Sequence, residues 1–243
     1  MTENTSSSVG VIRVGDDAYQ DLSVRGINKR FTAEPEAFHV VTGTEQVVNA
    51  VREAVRDGKR IAVRSGGHGY ENMVGDPAVQ VVIDLGEMRE VSFDPERKAF
   101  AVEPGVRMAD LYRTLYERWG VVLPAGDSAT VGVGGHVAGG GFGSLCRSAG
   151  LAADHLLAVE VVVVDASGDV RTVVATRDPA DPHHDLWWAH TGGGGGNFGI
   201  VPRYWFRSPD ATGDDPREAL PRPPASVLTG TVLFNRESLS RTA

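Results

Sequence analysis

Glycine placement constrains this chain more than any other feature. Thirty of its 243 residues are glycine, and many of them crowd into three stretches, Gly66 to Gly69, Gly132 to Gly143 and Gly192 to Gly199. Glycine inside a helix or strand gives up about 0.5 to 1 kcal/mol relative to alanine, so such runs persist where the backbone has to be bare. Bare backbone offers unencumbered N–H groups, and these suit phosphate. One cluster alone reads more simply as a tight turn. Three, each near a β-branched run, favour a ligand.

The intervening sequence supplies regular elements. Val47, Val48, Val51, Ala54 and Val55 recur at helical spacing up to Gly58, and Thr42 followed by Glu45 predicts a capping box at the start. Arg60 to Arg64 reads as a short strand feeding the first glycine stretch, and Val79 to Leu85 as a buried strand. Glu90 to Phe93 and Ala99 to Glu103 flank the turn-like Asp94 to Arg97 and predict a hairpin. Met108, Leu111, Tyr112, Leu115 and Trp119 predict a second helix ending at Gly120. A second hairpin is expected from Val159 to Val164 and Val170 to Ala175, then a short helix over His183 to Ala189 and a strand over Ile200 to Phe206. Before Phe31 only Tyr19 to Val24 suggests an ordered piece. Ser208 to Pro224 has a linker composition, and Ser226 to Phe234 reads as the start of one more strand.

Composition removes several function classes. Hydrophobic residues at 41% and charged residues at 23% are ordinary globular usage, and a formal charge of −8 without a basic run argues against nucleic acid as a partner. No stretch approaches the roughly 20 apolar residues of a membrane span, and Met1 to Gly10 lacks an apolar leader core, so neither membrane nor export is expected. Cys146 is the only cysteine, which excludes an intrachain disulfide and fits a reducing compartment, the cytoplasm.

Two phosphate-binding patterns fail. No G-x-x-x-x-G-K-[ST] occurs, and the G-x-G-x-x-G at Gly194, Gly196 and Gly199 precedes a strand where a dinucleotide-binding βαβ unit needs a helix. Gly132-Val133-Gly134-Gly135-His136 misses its third glycine at Val137.

The order of the remaining motifs carries a resemblance. Arg64-Ser65-Gly66-Gly67-His68, Val131 to His136, Gly139-Gly140-Gly141-Phe142-Gly143, Arg147, Gly150, Asp154 and Gly195 to Val201 are similar to the FAD-binding domain of the berberine-bridge-enzyme-like flavoprotein oxidases, within the vanillyl-alcohol-oxidase superfamily. Trp187 to Gly192 resembles bacterial members that oxidise sugar or aglycone alcohols in antibiotic tailoring. The resemblance implies an α+β fold, a two-subdomain PCMH-type FAD-binding domain over residues 31–209, preceded by an arm over 1–30. Residues 210–243 would then be a linker and the beginning of an incomplete substrate domain. It implies FAD as cofactor, with Arg64, Ser65, Gly66, Gly67, His68, Gly69 and Tyr70 wrapping the pyrophosphate and His68 joined to the flavin 8α-methyl. Val131, Gly134, Gly135, His136, Gly139, Gly140, Gly141 and Gly143 would complete the cradle, while Asp154 and Ile200 approach by short polar and backbone contacts.

Two departures from the family pattern qualify this. Doubly linked members carry a cysteine after Pro-Ala-Gly, where this chain has Ser128, and a hydroxyl cannot replace a thiolate in that bond. Attachment through His68 alone is therefore expected, with Cys146 a small buried residue. The family's usual tyrosine base falls in a segment beyond Ala243, so the chain reads as C-terminally truncated and no catalytic base is assigned. His183-His184-Asp185 lacks a third metal ligand and reads as a solvated helix start, and Tyr112, Tyr116 and Tyr204 read as packing residues. An FAD-dependent oxidase of small-molecule alcohols, a fragment that binds FAD without turnover, and a nucleotide-binding module without flavin remain the competing readings, in that order.

Overall fold

A computed structural model describes residues 10–233; the serine-rich start before Gly10 and the end of the last strand-like run at Phe234 lie outside them. In chain order the elements are β1 (Gly10–Arg13), α1 (Tyr19–Ser23), β2 (Ala37–Val40), α2 (Thr44–Arg56), β3 (Ile61–Arg64), β4 (Val81–Asp84), β5 (Val91–Asp94), β6 (Ala99–Val102), α3 (Met108–Trp119), α4 (Val133–Ala138), α5 (Cys146–Ala149), β7 (Leu156–Val164), β8 (Val170–Thr176), α6 (His184–Ala189) and β9 (Ile200–Phe206). Short 3-10 turns cover Ala152–His155 and Pro216–Glu218.

The strands form two sheets. The first has the order β1-β2-β4-β3, with β2, β4 and β3 parallel and β1 antiparallel on the edge. Every residue of β2 and β4 is buried, the pattern of strands covered on both faces. The second sheet has the order β5-β6-β9-β7-β8 and is antiparallel throughout, so both expected hairpins form and β9 returns to lie between them.

Helix α2 binds the sheets together. Val47, Ala50 and Val51 share one core with Val81 and Ile83 of β4 on one side and Val162 of β7 and Ile200 of β9 on the other. Its end is a Schellman motif: the Lys59 N–H reaches the Ala54 carbonyl, the Gly58 N–H reaches Val55, and Gly58 takes a left-handed φ of 63°. Its start corrects the expected Thr42–Glu45 box. Gly43 is the N-cap, and Gln46 bonds back to the Thr42 N–H at 2.7 Å, one residue out of the predicted register.

Three other expectations change. The lead-in arm contains β1 as well as α1, and Leu22 of α1 is buried against Ile12, Phe38 and Val82. The Ser208 to Pro224 stretch, linker-like in composition, folds back: Ala219 and Leu220 enter the main core, and the Val122 N–H donates to the Pro221 carbonyl at 2.8 Å. Residues 226–233 form no strand, because no partner strand among the described residues takes their backbone groups, and Leu228 is fully exposed. No helix among the described residues is long and apolar enough to cross a membrane.

Candidate functional site

The first glycine stretch leaves the carboxyl end of β3, beside the carboxyl end of parallel β4, where α/β sheets bind ligands. Its base is locked from inside. Arg64 is paired in register with fully buried Asp84, and its Nε and Nη2 lie 2.7 and 2.6 Å from Asp84 Oδ2. Arg64 Nη1 donates to the Leu22 carbonyl at 2.7 Å, and the guanidinium sits over the Phe38 ring. The Arg64 side chain therefore anchors the loop within the core instead of reaching out of it.

Beyond Arg64 the three glycine stretches converge. A Cβ on Gly66 would collide with the Gly132 amide, and one on Gly132 with Ser65 Oγ, so first and second stretches cross backbone to backbone. Ser65 Oγ donates to the Pro104 carbonyl at 2.6 Å, and the Gly134 N–H donates to the same oxygen at 2.9 Å. The third stretch is tied in by the Gly194 N–H, which donates to the Ala138 carbonyl at 2.8 Å, and Gly195 lies against α4 near Gly135.

Contacts within the protein account for only some of the glycines. Gly134 is wedged on Pro104, a side chain on Gly141 would strike Ala152, and one on Gly143 would strike the Ala125 carbonyl. Gly67 and Gly140 take φ of 73° and 101°, conformations that disfavour any side chain. Gly135 is different. It is exposed within α4, its φ is not positive, and a Cβ there would meet nothing within 4 Å. Gly139, four residues on, is likewise exposed, and Gly69 and Tyr70 face outward. The N–H groups of Gly66 through Tyr70 donate to no acceptor among the described residues. A row of free N–H groups beside an unencumbered helix face fits the diphosphate of a dinucleotide such as FAD.

His68 lies at the junction. Its Nε2 is 2.9 Å from Thr130 Oγ1 in the second stretch, and burial followed by the positive charge of Arg107 holds its pKa below the ordinary histidine value. Both effects favour the neutral ring over the imidazolium. Val131 and Ser128 form the turn that presents Thr130, the Val131 N–H donating to the Ser128 carbonyl, and the Ser128 side chain is exposed. His136 is a hydrogen-bonding residue: its Nε2 accepts the Gly126 N–H at 2.8 Å, and burial lowers its pKa. Asp154 caps its own turn by accepting the Leu151 N–H at 2.8 Å, and Ile200 is a buried core residue opening β9.

The tyrosines divide. Tyr112 donates to the Gly126 carbonyl at 2.8 Å and Tyr204 to the Gly134 carbonyl at 3.0 Å, and burial raises both hydroxyl pKa values. Tyr116, expected to pack, is 63% exposed. Cys146, expected to be buried, is only partly so, and its Sγ accepts the Gly143 N–H. His184 stacks on Trp187. Sequence reasoning passed over Thr130, Arg107 and the Pro104 carbonyl. A hydroxyl two residues before Gly132 was a signal for the first; nothing local marked the other two.

The family described as FAD binding domain matches residues 35–173, more than half of the chain. The chain is 57% identical over 228 residues to the aclacinomycin-N/aclacinomycin-A oxidase of Streptomyces galilaeus, covering 94% of this chain and 42% of that protein. It is 38% identical over 174 residues to the berberine bridge enzyme-like Cyn d 4 of Cynodon dactylon, covering 70% of this chain and 32% of that protein. The crystal structure of a glycopeptide hexose oxidase complexed with teicoplanin superposes with a TM-score of 0.88 at 51% identity, over 90% of this chain and 44% of that one. The chain thus spans less than half the length of these proteins.

Proposed function

Because the chain belongs to the FAD binding domain family, we propose that its three glycine stretches form one cradle for FAD and that His68 is the single point of covalent attachment. The free N–H row from Gly66 to Tyr70, crossed by the second stretch and flanked by bare Gly135, is the observation that carries this reading. The first two stretches hold the diphosphate, α4 lies along the cofactor, and His68 meets the flavin 8α-methyl. Asp154 and the backbone at Ile200 serve the far end. Ser128 stands where a thiolate would make a second link and leaves His68 the sole anchor.

The chemistry served is oxidation of an alcohol group on a sugar or natural-product aglycone, the class to which the names of the similar oxidases point. Bound FAD supplies the hydride acceptor; the residues described here bind it, orient it and keep His68 neutral. Residues 31–209 form the cofactor domain and residues 210–243 lead toward a substrate-binding part, with the cytoplasm as the compartment that suits a lone thiol. Denaturing the purified protein tests the anchor: flavin stays on the polypeptide if His68 holds it, and is released if it does not.

A second reading is FAD binding without turnover. In it the Tyr112 and Tyr204 hydroxyls, which donate to backbone carbonyls, serve the packing of the cradle alone. Anaerobic mixing with sugar and aglycone alcohols separates the two. Bleaching of the flavin absorption supports turnover, and a flavin that no alcohol bleaches supports the second reading.

A further inference from the structure

His68 has two ring nitrogens, and Thr130 engages one of them, Nε2, at 2.9 Å. Neutral imidazole carries its proton on one nitrogen and a lone pair on the other. A hydroxyl can donate or accept, so the contact fits either tautomer, but it fixes the ring by Nε2 and leaves Nδ1 without a protein partner among the described residues. Thr130 itself is held by the loop crossing: its carbonyl packs over Gly66, and the turn from Ser128 to Val131 fixes its backbone. Its side chain is exposed, so it contributes little to the core. We propose that Thr130 is a positioning residue for flavin attachment, holding His68 by accepting the Nε2 proton, so that the unengaged Nδ1 keeps its lone pair and is the nitrogen that bonds to the flavin. This rests on the reading of His68 as the anchor.

The attachment step balances with dioxygen as oxidant. A C–H bond of the 8α-methyl breaks with loss of a proton, and the Nδ1 lone pair forms the N–C bond. The ring, now alkylated, releases its Nε2 proton toward Thr130 and solvent. The two electrons left on the isoalloxazine pass to dioxygen, which takes up the two protons as hydrogen peroxide. A ring protonated on Nδ1 has no lone pair there and cannot begin this step. Arg107, the charged group facing His68, opposes the doubly protonated form but does not choose between the neutral tautomers.

The test compares the wild-type chain with Thr130→Val, which keeps the shape and removes the hydroxyl, and Thr130→Ser, which restores it. Each is purified with FAD, and the flavin bound before denaturation is compared with the flavin left on the polypeptide after it, as a function of time. Thr130→Val is expected to bind FAD but attach it roughly tenfold more slowly, the effect of losing one hydrogen bond. Thr130→Ser should attach at close to the wild-type rate. Attachment in Thr130→Val at the wild-type rate overturns the role of Thr130 and leaves the anchor standing. Loss of FAD binding itself in Thr130→Val also overturns it, since the residue would then hold the cradle and not the tautomer. Absence of flavin on the denatured wild-type polypeptide overturns the anchor, and this inference with it.

Discussion

His68 and Arg64 stand four residues apart in one glycine-rich loop, and the fold turns them to opposite purposes. His68→Ala is expected to bind FAD but release all of it on denaturation; flavin retained on that variant would contradict the assignment of the anchor. Arg64 faces inward, where Asp84 is fully buried and compensates its charge. Removing one partner of a buried ion pair costs about 3 to 5 kcal/mol, so Asp84→Ala should lose stability on that scale in urea unfolding. A loss below about 1 kcal/mol would mean that the pair does not anchor the loop. The sequence marked His68 through the glycines around it. It could not separate Arg64 from its neighbours, because the partner lies 20 residues away on a strand that only the sheet register brings alongside.

Helix α4 was illegible for a different reason: glycine suppresses the propensity signal, so Val133 to Ala138 looked like loop. Tertiary packing of Val133 and Val137 overrides that, and the remaining glycines mark where contact is needed. Two substitutions should therefore have opposite effects on stability. Gly135→Ala relieves a helix-interior glycine in open space and should stabilise the fold by about 0.5 to 1 kcal/mol while weakening FAD binding. Gly66→Ala drives a Cβ into the Gly132 amide and should lower both stability and FAD binding. Thermal melts and FAD titrations of the pair check this, and unchanged FAD affinity in Gly135→Ala would remove the cofactor from the α4 face. Strands β1 and β2 escaped the sequence reading because their apolar runs are short or broken, Val11-Ile12 in one and a run interrupted by His39 in the other. The long periodic helices α2 and α3 and both hairpins were legible, being local in origin.

Across the whole molecule, burial pulls His39, His136 and His190 below the ordinary histidine value of 6.5. Between the lowered values and 6.5 the unfolded chain binds more protons than the folded one, so stability is full above 6.5 and falls as pH drops through that window. The urea midpoint should therefore be lower at about pH 5.5 than at about pH 7.5, and His136→Gln should flatten part of the difference. A midpoint unchanged between those conditions would mean that these rings are not buried neutral. The two-sheet architecture joined by α2 could be anticipated only in outline, since which strand neighbours which depends on contacts remote in sequence. The convergence of the three glycine stretches is likewise a property of the assembled fold, and the account depends on it. The most direct measurement is the visible spectrum of the wild-type chain after incubation with FAD and gel filtration. The account predicts flavin absorption co-eluting with the protein at one FAD per chain, and a colourless protein would contradict it.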